Sequence, residues 1–557
     1  MAILVHFLAA CTGGGGSTPA PTPTPTPAPN PSPTGASLVS CATMSTDIIA
    51  LHAHHAADIA AVNTIAPSDR GARAVRSGAW SDAATWGGTV PSAGAVVIPA
   101  GVGVIVDARL SSTLDSVRVD GCLEFARNAN TRLRTDLLYV AQGGEIWIGS
   151  PNAPIAPGVT AEIAFPRTGA IDVSTDPNLL GKGFVSASKT NIHGAAKTTK
   201  VRAATAPLKG ATTIALSSAP SGWQVGDRVV LTGTYRVKFT VDANGIRRFI
   251  NPQDEELTIT AINGSSVTVT PALQFDHDGP YADLTPYLAN FSRNVRIYTE
   301  NASSAPVHER GHTMFMSPQT VIRSAEFDDL GRTDKSRRAF AAGSITPPLP
   351  DSNFKGRYPL HLHRAGGPGT TLAADVRNVA VWGSPGWGIA QHSGVALLHD
   401  NAVYNAFGSS FVAESGDERG AWVSNIAIKS EGVAEIVKDG ASVHAFDLAR
   451  TGDGYWFQGR LLRIHDNIAA GMHGGNGFVF MNRGSDITDP TPIAPDMALQ
   501  RASFRFVNQP IVEPNIQQFT DNEAFACKHG YHVTKPGPNQ THDSRSVIDG
   551  FTAWETE

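Results

Sequence analysis

From about residue 380 onward, apolar and polar positions recur in a short unit. Val381-Trp382-Gly383-Ser384-Pro385-Gly386-Trp387-Gly388-Ile389 aligns with Val403-Tyr404-Asn405-Ala406-Phe407-Gly408-Ser409-Ser410-Phe411 at an offset of 22 residues, with the apolar positions and the aromatic after the first Val in register. Asp400-Asn401 with Gly408 returns 66 residues later as Asp466-Asn467 with Gly474, three steps of 22, and more weakly as Asp521-Asn522 with Gly530. A period in the low twenties predicts a solenoid of stacked parallel coils. Successive strands would then lie about 4.8 Å apart. The Asn and Gly positions mark its turns, where left-handed backbone and side-chain-to-backbone bonds are needed; their predicted role is structural.

Upstream, short alternating runs predict further strands. Val96 to Pro99, Val102 to Asp107, Leu114 to Val119, Leu137 to Val140 and Gly143 to Gly149 are separated by Gly- and Asp-bearing turns. Their spacing suits a sandwich or a solenoid cap. Before them, Ile48, Leu51, His55, Ile59 and Val62 recur at three- and four-residue steps. This predicts a helix over Thr46 to Asn63, capped by Thr46 or Asp47 and ended by Pro67. His52, His54, His55 and Asp58 read as its solvated face rather than as metal ligands.

Composition narrows the class. With 55 Gly, 37 Pro and only 17% charged residues in 557, β structure with many turns is favoured over helix. Lys plus Arg is 44 against 49 Asp plus Glu, a near-neutral balance that argues against nucleic acid as the main partner. An acidic substrate remains open, since a local basic cluster suffices for it. Leu8-Ala9-Ala10-Cys11 reads as a lipobox, with Cys11 the lipidated residue, and Gly13 to Ser17 followed by the Pro-Thr alternation to Thr34 reads as an extended tether. The expected location is therefore the cell envelope, lipid-anchored, or outside the cell. Cys41, Cys122 and Cys527 allow at most one disulfide and no zinc site built from cysteines. Ile548 to Trp554 reads as a strand entering a further coil, as if the pattern stops part-way.

Several of these segments resemble a known family. Trp86-Gly87, Pro91, Ile98-Pro99, Val106-Asp107, Gly121-Cys122-Leu123 and Gly143-Gly144 to Gly149 resemble the G-eight (G8) domain, found in fibrocystin-like proteins and in hyaluronan-binding proteins linked to cell migration. Asn191 to Gly194, Trp223 to Asp227, Ser292 to Val295, Gly311 to Met316, Gly331 to Lys335, Arg357 to His363 and Gly452 to Gly454 look like the continuation of the latter group and its bacterial relatives, in order. The resemblance runs over roughly residues 76 to 557. It implies a G8 module followed by a right-handed parallel β-helix, with hyaluronan or a similar glycan as ligand and depolymerisation in some members. The predicted organisation is a leader over 1–11, a tether over 12–44, a helical segment over 45–75, a G8-like module over 76–205, a β-rich connection over 206–300 and the β-helix over 301–557. The fold class is all-β.

Coil register gathers the candidate chemistry. Aligning Leu360-His361-Leu362-His363 with Ile389-Ala390-Gln391-His392 sets His363 beside His392, and the 22-residue step sets Glu414 beside His392. His361 shares the face of His363, because strand side chains alternate. Asp334 and Asp453 complete the candidate acid–base set. His312, Arg332, Lys335, Arg357, Tyr358, Trp456 and Gln458 supply the stacking, neutralising and hydrogen-bonding groups that a glycan site needs. Arg332 to Lys335 reads equally as a turn held by an internal ion pair. Hydrolysis through paired carboxylates and elimination through a histidine base both stay open. His361, His363 and His392 are also suitable ligand types for a divalent metal. The expected partner is an acidic polysaccharide, met by a monomer; the rival reading is a non-catalytic glycan-binding or adhesion lipoprotein.

Overall fold

The computed structural model describes residues 37–44, 48–366, 372–434, 448–481, 516–534 and 546–557. Cys11 and most of the predicted tether lie outside them, as do Thr46 and Asp47. The chain is an all-β, right-handed parallel β-helix. The coils build three parallel sheets; those before Thr131 supply strands to the first two only, and the third begins at the Thr131–Ala161 pairing. Leu360–His363, Ala374–Arg377 and Ala380–Ser384 make one coil, and Ile389–His392, Val395–His399 and Ala402–Ala406 lie directly on it. Phe411–Ala413, Arg419–Val423 and Ile426–Ser430 form the next. The 22-residue step is thus the true register, with Val381 paired to Val403 and Trp382 to Tyr404.

Inward side chains stack along the axis. Phe411, Tyr455 and Phe478 lie ring on ring at 4.8 and 4.7 Å, and Phe457 stacks on Phe480 at 4.7 Å. Each pair adds roughly 0.5–1.5 kcal/mol beyond area burial. The turn between the second and third sheets carries a second stack. Asp400, Ser424, Asp466 and Asp521 take left-handed backbone there, with φ of 54–57°. The asparagine after each is fully buried, and the amide of one rung bonds the backbone and side chain of its neighbour from Asn401 through Asn425 and Asn467 to Asn522. The predicted threefold repetition between Asn401 and Asn467 is a coincidence of length. That stretch holds two coils, of 24 and 42 residues, the longer one carrying an excursion between its strands.

The strands predicted as a G8-like module are the first coils of the same stack. Gly103–Val106, Cys122–Phe125 and Glu145–Ile148 pair in parallel and lead into Lys189–His193 and Thr320–Arg323 of the second sheet. The connecting region is a six-stranded antiparallel sheet spanning Lys200 to Asn290. It has its own apolar core around Ile214, Leu231 and Ile259. Val230, Ala289 and Phe291 seat it on the outer face of the third sheet, against Ala402, Tyr404 and Ile428.

The helix runs His55–Ile65, nine residues later than predicted at its start. Val62 and Ala66 press it onto the outer face of the first sheet, over Leu137, Tyr139, Val185, Met314 and Met316. Ahead of it, Cys41 is disulfide-bonded to Cys122 across 81 residues of sequence, and Cys527 is buried and free. One oxygen of Glu124 accepts the backbone N–H groups of Val39, Ser40 and Cys41 at 3.0, 3.0 and 3.1 Å. Cross-linking a loop of this length removes chain entropy from the unfolded state, so Cys41→Ser should lose about 4 kcal/mol. The urea midpoint, compared with that of the oxidised wild type, measures it; an unchanged midpoint would mean that the Glu124 contacts hold the segment alone.

Candidate functional site

Strand alternation divides the Leu360–His363 strand cleanly. Leu360 and Leu362 enter the core, and His361 and His363 project outward. His363 pairs in register with His392 on the next coil, and their rings are 4.9 Å apart. His361 lies 4.9 Å from His363 and 5.9 Å from His392, parallel to the latter ring. Glu414 follows one coil on, its backbone N–H bonded to Gln391 O and its Oε2 3.6 Å from His392 Nδ1. Gln458 extends the row, one position past the Ala413–Phe457 pair.

The helix closes over this row. Asp58 Oδ2 accepts from His363 Nε2 at 3.1 Å, and His55 Nε2 donates to His363 O at 2.9 Å. His55 is fully buried. The reading of His55 and Asp58 as a solvated helix face is therefore corrected: that face is docked on the histidines, while His54 alone of the four is exposed. His361 Nδ1 donates to Gly356 O at 2.9 Å. Both rings then turn their second nitrogens, His361 Nε2 and His363 Nδ1, inward. These are buried and have no hydrogen-bond partner among the described residues, as is Glu414 Oε2.

Electrostatics follow from this burial. Desolvation drives the His361 pKa down to about 3, with the neighbouring His363 adding to it. It also holds His363 and His392 well below the usual imidazole range, against the pull of Asp58. All three are neutral at physiological pH. Burial alone would raise the Asp58 carboxyl, but the hydrogen bond and charge of His363 hold it below its ordinary value, hence ionised. Arg364 and His52, both half-buried, sit at the rim and act on the cluster's charge. Ligand nitrogens of His361, His363 and His392 lie within 4.8 Å of one another.

The other candidate residues are elsewhere, and most are framework. Arg332 and Arg357 are not solvent-facing cations. Arg332 gives its guanidinium to the carbonyls of Leu179, Gly181, Lys182 and Arg310, and Arg357 to those of Asn178, Leu179 and Lys355. Together they hold a segment in which Leu179 and Lys182 adopt left-handed backbone, φ 51° and 50°. Burial lowers the Arg332 pKa to about 9, with Arg357 adding to it. Lys335 is buried 4.1 Å over the Trp387 ring, on whose face Tyr358 also stacks. Trp456 is buried in the same apolar cluster. His312 is buried against the backbone, and a Cβ at Gly183 would lie 2.2 Å from its Nδ1.

The two remaining carboxylates are also occupied. Asp334 bonds Ser336 and pairs with Arg337, outside the Arg332–Lys335 stretch for which the sequence suggests an internal ion pair. Asp453 is buried on the backbone and side-chain amides of Asn476. None of these residues is presented to a polymer. Arg332→Lys, which keeps the charge and loses the planar fork, should lower stability by about 2 kcal/mol. Urea unfolding read beside glycan affinity checks this: lost affinity at an unchanged midpoint would return Arg332 to the binding surface.

Pattern reasoning missed Asp58, His55 and Arg364. A signal for the first two existed, a helix whose polar face carries three histidines and an aspartate, but nothing local says what that face meets.

Residues 85–204 match the family model of the G8 domain. Among curated proteins, a G8 domain-containing protein of Dictyostelium discoideum is 23% identical over 454 residues, covering 77% of this chain and 27% of the relative. Fibrocystin-L of Mus musculus is 22% identical over 466 residues, covering 74% of this chain and 10% of the relative. The chain thus spans about a quarter of the first relative's length and a tenth of the second's. Among solved structures, the tailspike gp49 of Pseudomonas phage LKA1 aligns at 9% identity and TM-score 0.15, over 81% of this chain and 50% of that one. The Gp54 tailspike of Acinetobacter baumannii bacteriophage AP22, solved in complex with a capsular saccharide of that bacterium, aligns at 10% and 0.16, over 83% and 72%.

Proposed function

We propose, for a chain that carries a G8 domain at the head of a parallel β-helix, that it binds an acidic polysaccharide such as hyaluronan and depolymerises it at the histidine row. The observation that carries this reading is the convergence of His363, His392 and Glu414 from three successive coils with Asp58 from the helix, beside the half-buried cation Arg364. Elimination is the better supported chemistry. A hydrolase needs a pair of carboxyls across the scissile bond, whereas this row is built of three histidines, with Asp58 and Glu414 each set against one of their rings. A lyase needs a neutral base near the uronate C5 proton and a positive group on the carboxylate. The buried, neutral histidines and Arg364 are of those types. In this reading the base takes the C5 proton, the C4–O bond breaks as the C4–C5 double bond forms, and the leaving glycosidic oxygen takes a proton from water.

Incubating the soluble chain with hyaluronan and other uronate polysaccharides tests it. Shorter products with new ultraviolet absorbance are expected; shorter products without it would mean hydrolysis. A non-catalytic glycan-binding role is the second reading, favoured by the near-complete burial of His361. Retained binding with no shortening would establish that role and sink the first. The proposal extends to a lipid anchor at Cys11 in the cell envelope, which predicts that Cys11→Ser abolishes labelling by a radioactive fatty acid.

A further inference from the structure

We infer that His361, His363 and His392 form a binding site for one divalent first-row transition ion of the zinc class, with Asp58 and the Gly356 carbonyl as the groups that position two of its ligands. Three features of the cluster point there together. The ligand nitrogens converge from two adjacent strands to within 4.8 Å. Each of two rings has its outer nitrogen committed, His361 Nδ1 to Gly356 O and His363 Nε2 to Asp58. That commitment fixes the tautomer and turns a lone pair inward, as the outer partners of metal-bound histidines do. The inward nitrogens are buried with no hydrogen-bond partner among the described residues.

A buried acceptor left without a donor is costly, on the order of 1–3 kcal/mol. Two lone pairs aimed at one point need a shared positive centre, and the neighbouring rings cannot provide it. Their N–H groups are already given to Gly356 O and Asp58, so each ring can offer only a lone pair on its other nitrogen. A metal ion satisfies both at once. The donor set selects its class. Three imidazoles with no thiolate suit zinc, cobalt, nickel or copper, whereas calcium and magnesium require oxygen ligands. Metal–nitrogen bonds of about 2.1 Å put ligands of one ion roughly 3.3 Å apart. The widest pair must therefore close by about 1.5 Å on binding, within reach of ring rotation. Glu414 Oε2, 3.6 Å from His392 Nδ1 and likewise buried without a hydrogen-bond partner, faces the fourth side. A three-histidine site with one further position is the arrangement found where a metal takes part in catalysis. The inference deepens the proposed depolymerisation and rests on it for any catalytic role, but binding itself rests on the cluster's geometry alone.

The full chain would be loaded with zinc or cobalt(II), dialysed, and its metal content measured by mass spectrometry. About one ion per chain is expected, with a cobalt visible spectrum of low-coordinate type and no thiolate charge-transfer band. His363→Ala and His392→Ala should each lose the ion. His465→Ala, on a histidine paired with Asp466 on a different sheet, should keep it. Asp58→Asn should retain the ion with affinity weakened roughly 10–100-fold, a graded effect that mere loss of the helix would not give. Should either alanine variant misfold, the wild-type cobalt spectrum decides, because an octahedral spectrum of surface-bound ion overturns the inference. Wild-type metal no higher than in the two alanine variants also overturns it. The two readings fail separately. A bound ion with no glycan shortening keeps the metal site and sinks the depolymerase. Shortening by a chain that takes up no ion on loading does the reverse.

Discussion

An Asn425→Ala chain should unfold at a markedly lower urea concentration than the wild type, with a loss of about 4 kcal/mol. Asn425 is a middle rung of the buried asparagine stack. Its Oδ1 accepts from both the backbone and the side chain of Asn401, at 3.0 and 2.9 Å. Its Nδ2 donates to Leu398 O and to Asn467 Oδ1, each at 2.9 Å. Alanine leaves the Asn401 N–H without its partner and removes one bond each from the Asn401 side chain, Leu398 O and Asn467 Oδ1, in a place water does not reach. A buried donor without a partner costs about 1–3 kcal/mol, and each of the three other lost bonds about 1 kcal/mol, which together account for the loss. Asn425→Asp separates the contributions: it keeps the acceptor and abolishes both donations, and should recover at most half. Because a solenoid's coils are coupled mainly to their neighbours, the damage should appear first as lost amide-exchange protection in the coils on either side. A midpoint within about 1 kcal/mol of the wild type would show that the turn relaxes to readmit water and that the stack is dispensable.

Replacing His363 by alanine should reduce polysaccharide turnover by about a thousandfold, the scale expected when the residue that fixes His392, Asp58 and the helix around the reacting centre is lost. No other side chain in the row is held from so many sides. Its strand sets it beside His392, its ring donates to Asp58, and its carbonyl receives His55. Asp58→Asn should cost less, roughly 10–100-fold, since it removes only the group that orients the ring. Steady-state rates for the two variants, read beside their urea midpoints, distinguish a chemical defect from a loosened helix. His363→Ala turning over within a few-fold of wild type would end the assignment of this row as the site.

The adjacency of His363, His392 and Glu414 was legible in the sequence because two simple periods carry it. Strand side chains alternate, and Val381 to Val403 sets the coil length. The asparagine turns were legible in the same way at Asn401, Asn467 and Asn522; Asn425 escaped because serine, not aspartate, precedes it. What local pattern does not encode is partnership at long range. Asp58 and His363 are 305 residues apart, and the helix's polar face looks the same whether water or a sheet covers it. Arg332, Lys335 and Arg357 misled for a related reason. A charged residue reads as a surface residue, yet here carbonyl oxygens and an aromatic ring satisfy the charge within the protein, and only the fold reveals them.

The bond between Cys41 and Cys122 lies ahead of the helix in chain order. A pull applied to the chain before Cys41 therefore enters the body through a covalent link to the second sheet. The load path bypasses residues 48–65, and the contact between Asp58 and His363 stays slack under tension. In the reduced protein the same pull would run through the helix and peel it from the histidines end-first. Oxidation state then decides whether mechanical force on that end of the molecule is felt at the site or carried around it.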